Sequence, residues 1–293
     1  MFRTPVIDIY LTGSCNLQCQ YCFGEVDTQP GMLKATFLQA LIFAHFTGAT
    51  TVELCGGEPL LYHELDWAVR SARAEGFGLI LRTNGYLVPE RRSFIAENFQ
   101  AVGISLDGDA ETNDRMRPVK GHRYMSAETK FEVPLQEIAA LKALNPKLRL
   151  ILASVATADN VSGIVALGQL LVQRKPPIDL WKIYQFVGNN FRASANHDVF
   201  MLSPEEFESL QQDIETLIDG RFPVSCRKSD ETDGSCLVIN RDGDVLLGAR
   251  RFGNVVSDAF ENICNRLEAA CAEVTISTNK STTYLTLIPE EAN

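Results

Sequence analysis

Residues 6–22 read VIDIYLTGSCNLQCQYC, an apolar run of strand character followed directly by Cys15, Cys19 and Cys22. In parallel α/β folds, functional sites lie where strands end, so we expect this loop to hold a site. Three closely spaced thiolates can bind three irons of a cubane cluster and leave the fourth iron open. The alternative is zinc, which prefers four ligands, commonly from two paired hooks. Because no second hook is near, the loop predicts a [4Fe–4S] cluster.

The elements around this loop alternate between short apolar strands and amphipathic helical stretches. Six strands are predicted at 6–11, 50–54, 78–82, 101–106, 148–155 and 180–186. Helical patterns lie between them at 35–46, 64–75, 90–98, 130–144 and 161–173. Regular alternation of this kind predicts a parallel sheet with helices outside and right-handed crossovers. Six units favour an open, partial (β/α)6 barrel over a closed eight-fold one.

The last third of the chain has a different pattern, beginning at about Phe191. A helix is predicted after Ser203, with Pro204 at its first position. A hairpin around Asp242-Gly243 and a helix over 260–271 should follow. We therefore predict two parts, a core over residues 1–190 and a C-terminal extension over residues 191–293.

The spacing of the three cysteines, with Tyr21 as the aromatic residue before the third, resembles the radical SAM superfamily. The resemblance covers about residues 5–186. It implies that the open iron chelates S-adenosylmethionine (SAM), and that electron transfer into the sulfonium releases a 5′-deoxyadenosyl radical. It also implies an external electron donor such as flavodoxin or ferredoxin.

Further motifs end the next three strands, in the order that this family would have them. They are Gly56, Gly57, Glu58 and Pro59 after the second strand, Thr83 and Asn84 after the third, and Ser105 and Asp107 after the fourth. The glycines allow close backbone approach, and Glu58 or an exposed carbonyl is expected to receive the SAM ammonium. The resemblance implies that the later motifs contact the ribose and carboxylate of SAM. Alone, each could be a simple turn.

Four more cysteines lie in the extension, namely Cys226, Cys236, Cys264 and Cys271. They flank the predicted hairpin and last helix, and four thiolates can ligate an auxiliary [4Fe–4S] cluster. The hairpin sequence resembles SPASM and twitch extensions, which carry such clusters. A structural zinc, or cysteines that only fill the core, are the other interpretations.

One position departs from that resemblance. In related hairpins a cysteine follows the Asp-Gly-x-Val run by a few residues, but here the chain continues Gly248-Ala249-Arg250. Ala249 therefore stands where a hydrogen-donor cysteine is expected. Either the protein has no thiol there or an alanine has replaced it.

The reaction that we expect is the epimerisation of an aminoglycoside in antibiotic biosynthesis. The size, the cysteine loop and the C-terminal cysteines resemble the radical SAM epimerases that convert neomycin C to neomycin B. Such an enzyme takes hydrogen from a sugar carbon, and a thiol returns hydrogen to the opposite face. A cationic substrate would be attracted by acidic groups, and four follow the fourth strand: Asp107, Asp109, Glu111 and Asp114.

Three other functions stay open. Residues 181–186 and 204–207 look like viperin-like nucleotide dehydratases, which however have asparagine where Asp8 aligns and lysine where Thr51 aligns. Because triphosphates need Lys or Arg, that difference weakens the likeness. Residues 105–108 and 114–121 resemble peptide-modifying SPASM enzymes, but the chain is short for them. An iron–sulfur scaffold without turnover is the non-enzymatic alternative.

The overall composition is that of an ordinary globular protein. The formal net charge is −10 and the pI is near 5.0, which argues against a nucleic-acid partner because phosphates would be repelled. No stretch is apolar for long enough to predict a membrane span, and no signal-peptide pattern is seen. We therefore expect a cytoplasmic enzyme whose cysteines serve metal or catalysis rather than disulfides.

Overall fold

The computed structural model describes residues 2–24, 27–120, 126–189, 191–232 and 234–273. It confirms the predicted mixed α/β fold, with a parallel sheet and helices consistent with a partial barrel. The strands are β1 Val6–Tyr10, β2 Thr51–Cys55, β3 Gly78–Thr83, β4 Ala101–Ser105, β5 Arg149–Ala156, β6 Leu180–Gln185, β7 Val224–Arg227, β8 Leu237–Ile239, β9 Asp244–Leu247 and β10 Arg250–Asn254. All six predicted core strands form, with ends that shift by one residue at most.

Helices connect the successive parallel strands, and a last helix follows β10. They are α1 Lys34–Phe46, α2 Leu65–Ala74, α3 Val88–Asn98, α4 Ala110–Met116, α5 Ala127–Leu144, α6 Val161–Arg174, α7 Phe191–Ala195, α8 His197–Phe200, α9 Pro204–Ile218, α10 Ser229–Thr232 and α11 Phe260–Glu273. The α9 helix begins with the predicted cap, because Ser203 and Glu206 form a complete capping box. The sequence pattern missed the short helices α4, α7, α8 and α10 and the strands β7 and β10.

The strands form one sheet in the order β10-β9-β8-β1-β2-β3-β4-β5-β6-β7. Neighbours from β8 through β1 to β7 pair in parallel, whereas β8, β9 and β10 form an antiparallel hairpin unit. The extension thus contributes β7 to one side of the core strands and the hairpin unit to the other. The boundary expected at residue 190 falls shortly after β6, but both parts share this sheet.

The alternation of residues along each strand separates two environments. On β1, Ile7 and Ile9 are fully buried in the main hydrophobic core together with helix residues such as Phe37. The residues between them, Asp8 and Tyr10, point the other way, into the interior that the parallel strands enclose. A small apolar cluster of Ile80, Ala101, Ile151 and Leu180 lies near the amino ends of β3 to β6. The interior is therefore apolar at its amino end and polar above it.

Across the described ranges, none of the helices combines the length and the apolar character that crossing a bilayer requires.

Candidate functional site

The loop that carries Cys15, Cys19 and Cys22 follows β1 and is held in place by hydrogen bonds from other segments. The backbone N–H of Gln18 donates to the Pro118 carbonyl at 2.8 Å, and that of Lys120 donates to the Asn16 carbonyl at 2.8 Å. Inside the loop, the N–H of Leu17 donates to Cys15 Sγ at 3.4 Å. The segment after α4 therefore fixes the loop from one side.

The three loop thiols are neighbours, and each is affected by the charge of Arg117. Burial raises the pKa of Cys19 to about 12, while the Arg117 guanidinium acts in the opposite direction. Burial likewise raises the pKa of Cys15 and of Cys22, and Arg117 again opposes it. Iron ligation requires the deprotonated thiolate, so a nearby positive charge favours the ligating form.

Gly56 and Gly57, at the end of β2, lie directly against the cysteine loop. The N–H of Gly57 donates to the Thr12 carbonyl at 2.6 Å. A Cβ at Gly57 would stand 2.3 Å from the Ser14 carbonyl oxygen, and one at Gly56 would stand 2.5 Å from that of Thr12. Gly56 also has a φ of +137°, which side chains rarely adopt. The predicted close backbone approach is therefore present, although the backbone approached is that of the loop itself.

Glu58 is fully buried, and its carboxylate is occupied by the protein. Its Oε1 accepts hydrogen bonds from the Leu60 N–H at 3.1 Å and the Thr83 hydroxyl at 2.9 Å. Its Oε2 accepts one from the Asn84 N–H at 2.8 Å. Of the two expectations for the SAM ammonium, the Glu58 side chain therefore has no support in the geometry. An exposed backbone carbonyl remains the expectation.

The motif after β3 also reaches the cysteine loop. Asn84 Nδ2 donates to Asn16 Oδ1 at 2.7 Å and lies 4.0 Å from Cys15 Sγ. Pro59 starts the short 3₁₀ turn Pro59–Leu61 and is buried. Ser105 is half-buried at the end of β4. The structure thus brings the motifs after β2 and β3 together at the carboxyl end of the sheet.

Asp107 is held inside the protein. Its Oδ2 accepts hydrogen bonds from the Tyr21 hydroxyl and from Arg117 Nη1, the latter at 2.6 Å. Its Oδ1 accepts one from the Val155 N–H at 2.6 Å. With only 1% of its surface exposed, Asp107 acts through Tyr21 on the cysteine loop and is not placed to contact a ligand. Arg117 was missed at the sequence level because nothing in the local pattern marks a buried arginine.

The other acidic groups proposed to attract a cation are also largely engaged. Asp109 caps α4 by accepting a hydrogen bond from the Thr112 N–H at 3.0 Å. Asp114 forms an ion pair with Lys130. Together with Asp107, three of the four carboxylates therefore already have partners within the protein, while Glu111 is exposed in the first turn of α4.

A second polar group lies inside the barrel, beneath the cysteine loop. Arg82 donates from Nε to Glu53, and its Nη2 lies 3.3 Å from the Tyr184 hydroxyl. The Arg82–Tyr184 contact joins β3 to β6 across the interior, since β4 and β5 separate these strands in the sheet. Gly103 on β4 makes this possible, because a Cβ there would stand 2.8 Å from Arg82 Cδ.

Asp8, Lys182 and Cys236 complete this group, which we call the lumen layer: Asp8, Glu53, Arg82, Lys182, Tyr184 and Cys236. Burial raises the pKa of Asp8 well above its usual range, and the Glu53 charge adds to that rise. Burial and then the Arg82 charge lower the pKa of Lys182 to about 6. The thiol of Cys236 lies close to Asp8 and Glu53, although the residue as a whole keeps exposed surface.

The structure does not gather the four C-terminal cysteines into one site. Cys226 lies on β7, opposite Ile183 of β6. Its side chain packs against the main core, on the outer face of the sheet. Cys236 faces the opposite side, in the lumen layer. Cys264 is a buried core residue of α11, and Cys271 is half-buried two turns further along that helix. A cluster bound by all four thiols would require these elements to move, so the auxiliary cluster stays a prediction.

Ala249 lies in the turn between β9 and β10, after Gly248. Because β8 runs parallel to β1 and β9 runs back, this turn is at the amino end of the strands. The cysteine loop is at the carboxyl end. The structure therefore does not bring Ala249 to the loop that would hold the cluster, and its donor role has no geometric support.

The loop cysteines fit a cluster that leaves one iron open. In the described ranges, no three His, Cys, Asp or Glu side chains converge as a complete site for a single metal ion. The ligands of three different irons in a cubane stand further apart than those of one ion, so this finding is compatible with a cluster. The three thiols, the arginine charge and the glycine-lined approach suit a [4Fe–4S] group.

The chain resembles known proteins along most of its length. It is 27% identical over 223 residues to an S-adenosylmethionine-dependent nucleotide dehydratase of Psychrobacter lutiphocae, covering 69% of each chain. A protein of the same name from a Fibrobacter species is 29% identical over 202 residues, covering 62% of this chain but only 55% of its own length.

Solved structures share the fold at lower identity. SuiB of Streptococcus suis, bound to its precursor peptide SuiA, has a TM-score of 0.66 at 15% identity, covering 88% of this chain and 64% of SuiB. The protein anSMEcpe with bound AdoMet has a TM-score of 0.65 at 17% identity, covering 90% of this chain and 82% of its own. A family model described as the radical SAM superfamily matches residues 9–159. Since that match includes the cysteine loop and spans just over half of the sequence, the chain belongs to the radical SAM superfamily, with a [4Fe–4S] cluster and SAM as its cofactors.

Proposed function

We propose that this enzyme removes a hydrogen atom from a sugar carbon of a small, hydroxyl-rich substrate that enters the barrel lumen. The observation that supports this proposal is the lumen layer, a set of polar side chains below the loop that binds the cluster. Cys22 and Cys236 both lie near Tyr10, which places the two groups on a common interior. A substrate on the lumen layer would therefore face the SAM site.

The charges of the lumen layer favour hydroxyl and amino groups over phosphates. Arg82 is held by Glu53, and Lys182, with a pKa of about 6, is mostly neutral at neutral pH. A triphosphate needs several available cations. Sugar hydroxyls, in contrast, need closely spaced donors and acceptors, which carboxyl, amine and phenol groups supply.

The residues of the chain have separable roles in this reaction. When bound, the cluster supplies the electron that breaks a C–S bond of SAM and so releases the 5′-deoxyadenosyl radical. Cys15, Cys19 and Cys22 hold it, while Glu58 and Asp107 keep the surrounding loops in register through their buried hydrogen bonds. Arg82 and Tyr184 would orient the sugar from below. The apolar cluster at the amino end of the strands closes the interior on that side.

Nucleotide dehydration is the first candidate reaction, and the names of the two dehydratases support it. The hydroxyl groups that a nucleotide can lose as water are on its sugar. Removal of one hydrogen atom, departure of hydroxide that takes up a proton, and uptake of one electron from the external donor leave a carbon–carbon double bond. On this account the sugar enters the lumen and the phosphates stay outside it.

Epimerisation of an amino sugar is the second candidate, and Asp8 and Cys236 support it. Asp8 lies beside Glu53 across β1 and β2, and an ammonium group between them would relieve their repulsion. Burial, with the Asp8 charge, raises the pKa of Cys236 to about 12, so the thiol keeps its hydrogen at neutral pH. It would give that hydrogen atom to the sugar radical, and one electron from the external donor and one proton from water would restore the thiol.

Incubation of the reduced, reconstituted enzyme with SAM in D₂O tests the proposal. One arm contains nucleoside triphosphates and the other contains neomycin-type aminoglycosides. A nucleotide product lighter by one water supports the first candidate, and an aminoglycoside product with one carbon-bound deuterium supports the second. A Cys15→Ala variant is the control that should give neither. If 5′-deoxyadenosine forms with no product from any sugar-containing compound, the proposal is wrong.

A further inference from the structure

Behind the cysteine loop lies a buried ion pair that the proposed reaction does not use directly. Arg117 immediately follows α4 with 9% of its surface exposed, and Asp107 follows β4 with 1% exposed. Arg117 Nη1 is 2.6 Å from Asp107 Oδ2 and 3.3 Å from the Tyr21 hydroxyl. Tyr21 is itself part of the loop, between Cys19 and Cys22. The arginine is thus tied to one of the two residues that lie between Cys19 and Cys22.

The pair is fixed from several directions. Asp107 Oδ1 accepts the Val155 N–H, and the Asp107 N–H donates to Asn113 Oδ1 at 3.0 Å. Asn160 Nδ2 donates to the Asp107 carbonyl at 2.9 Å. Because β5, α4 and the segment after β5 all hold Asp107, the guanidinium has little freedom to turn away from the loop.

Backbone contacts also bring the segment of Arg117 against the cysteine loop. The Gln18 N–H donates to the carbonyl of Pro118, the residue after Arg117, at 2.8 Å. The buried Arg117 Nε has no hydrogen-bond partner among the described residues. The guanidinium therefore lies against the cysteine loop with one of its donors unused by the described part of the chain.

We propose that Arg117 is a positioning residue that sets the reduction potential of the cluster, by holding a fixed positive charge against its thiolates. The reduced cluster carries one more negative charge than the oxidised one, so a nearby cation stabilises the reduced form. In a buried setting this effect is screened less than at the surface. Asp107 weakens the field but keeps the guanidinium in place.

Potentiometric titration of the cluster, followed by electron paramagnetic resonance without substrate, tests the inference. Arg117→Gln should lower the ratio of reduced to oxidised cluster at least tenfold at the same poise, equivalent to 59 mV for one electron. Arg115→Gln is the matched control, since Arg115 lies on α4 but pairs with Asp159 at the surface. It removes the same charge and should leave the potential unchanged. Equal potentials in the two variants overturn the proposal.

A purely structural role gives a different result. It would lower the iron content and the melting temperature of Arg117→Gln. The clusters that do assemble in this variant would then have the reduction potential of the wild type. Arg117→Lys keeps the charge and should stay near the wild-type potential. If Arg117→Gln does not load iron, Asp107→Asn is compared with Asp107→Asn/Arg117→Gln, and the double variant should have the lower potential. Failure of every variant to load iron, Arg117→Lys included, assigns Arg117 to folding and also overturns the proposal.

Discussion

Glu58 accepts a hydrogen bond from the backbone N–H of Asn84 at 2.8 Å, so a carboxylate at the end of β2 holds the loop that follows β3. The same side chain caps its own turn through Leu60. Asn84 in turn reaches Asn16 in the cysteine loop. A chain of hydrogen bonds thus joins three successive strand ends, and Glu58 acts as its support rather than as a ligand.

This role of Glu58 predicts a pH-dependent contribution to folding. Burial raises its pKa from 4.5 to about 7 in the folded chain. Between these two pKa values the folded state binds a proton at Glu58 and the unfolded state does not. The contribution of Glu58 to the free energy of unfolding is therefore complete below the pKa of the unfolded chain, and it is lost as the pH rises through the pKa of the folded chain. Relative to Glu58→Gln, the wild type should lose about 3 kcal/mol of unfolding free energy from about pH 5 to about pH 8.

Urea unfolding of both chains under anaerobic conditions measures that difference. Glu206→Gln is a useful control, because Glu206 lies on the surface in a capping box and should give no loss over the same range. A difference between wild type and Glu58→Gln that stays constant with pH would contradict the buried, protonated carboxyl.

The three loop cysteines should be required for both iron and SAM cleavage. Replacing Cys15, Cys19 and Cys22 together by alanine removes all thiolate ligands of the cluster. We expect 5′-deoxyadenosine formation to vanish, measured by chromatography after reduction with SAM present. Cys55→Ala is the matched control, since Cys55 ends β2 as a buried residue outside the loop. Deoxyadenosine at the wild-type rate in the triple variant would exclude the cluster assignment.

The Tyr21 hydroxyl should stabilise the loop. Tyr21→Phe removes its hydrogen bond to Asp107 and leaves a buried carboxylate with one partner fewer, which costs about 1–3 kcal/mol. Urea unfolding measures this difference, and a free energy of unfolding for Tyr21→Phe equal to that of the wild type would show that the Tyr21–Asp107 contact does not stabilise the fold.

Iron content decides whether the C-terminal cysteines form a second site. Because Cys226 and Cys236 face opposite sides of the sheet, the arrangement predicts one cluster, or about four irons per reconstituted chain. Alanine at Cys226, Cys236, Cys264 and Cys271 should leave that number unchanged. About eight irons, half of them lost in the quadruple variant, would instead establish the auxiliary cluster that the sequence led us to expect.

The hydrogen donor for an amino sugar should be Cys236 and not residue 249. With an aminoglycoside substrate, Cys236→Ala should still cleave SAM but should give no product with carbon-bound deuterium in D₂O. Ala249→Cys should not change the outcome, because the turn between β9 and β10 is at the far end of the strands. If Ala249→Cys alone creates the deuterated epimer, the donor is at 249 and the expectation from the hairpin resemblance was right.

The sequence predicted the parallel core because each strand has a strong local signal, such as the apolar run before Cys15. The cysteine loop was also readable, since its ligands are close in sequence. The roles of Glu58 and Asp107 were not, because a carboxylate after a strand looks the same whether it faces a ligand or is buried. Arg82 and Tyr184 meet across two intervening strands, and no local pattern encodes such a contact. The expectation that the four C-terminal cysteines converge had no support in the structure for a related reason. Proximity in sequence does not determine which face of a sheet each cysteine occupies.

The proposed function requires that a SAM-derived radical takes hydrogen from a sugar carbon in the lumen. The most direct test uses substrates that carry deuterium only on their sugar carbons, with the reduced enzyme in ordinary water and mass analysis of the 5′-deoxyadenosine released. We expect 5′-deoxyadenosine with one added deuterium, from a nucleoside triphosphate or from an aminoglycoside. Deoxyadenosine without deuterium from every such substrate, at the rate seen without substrate, would contradict it.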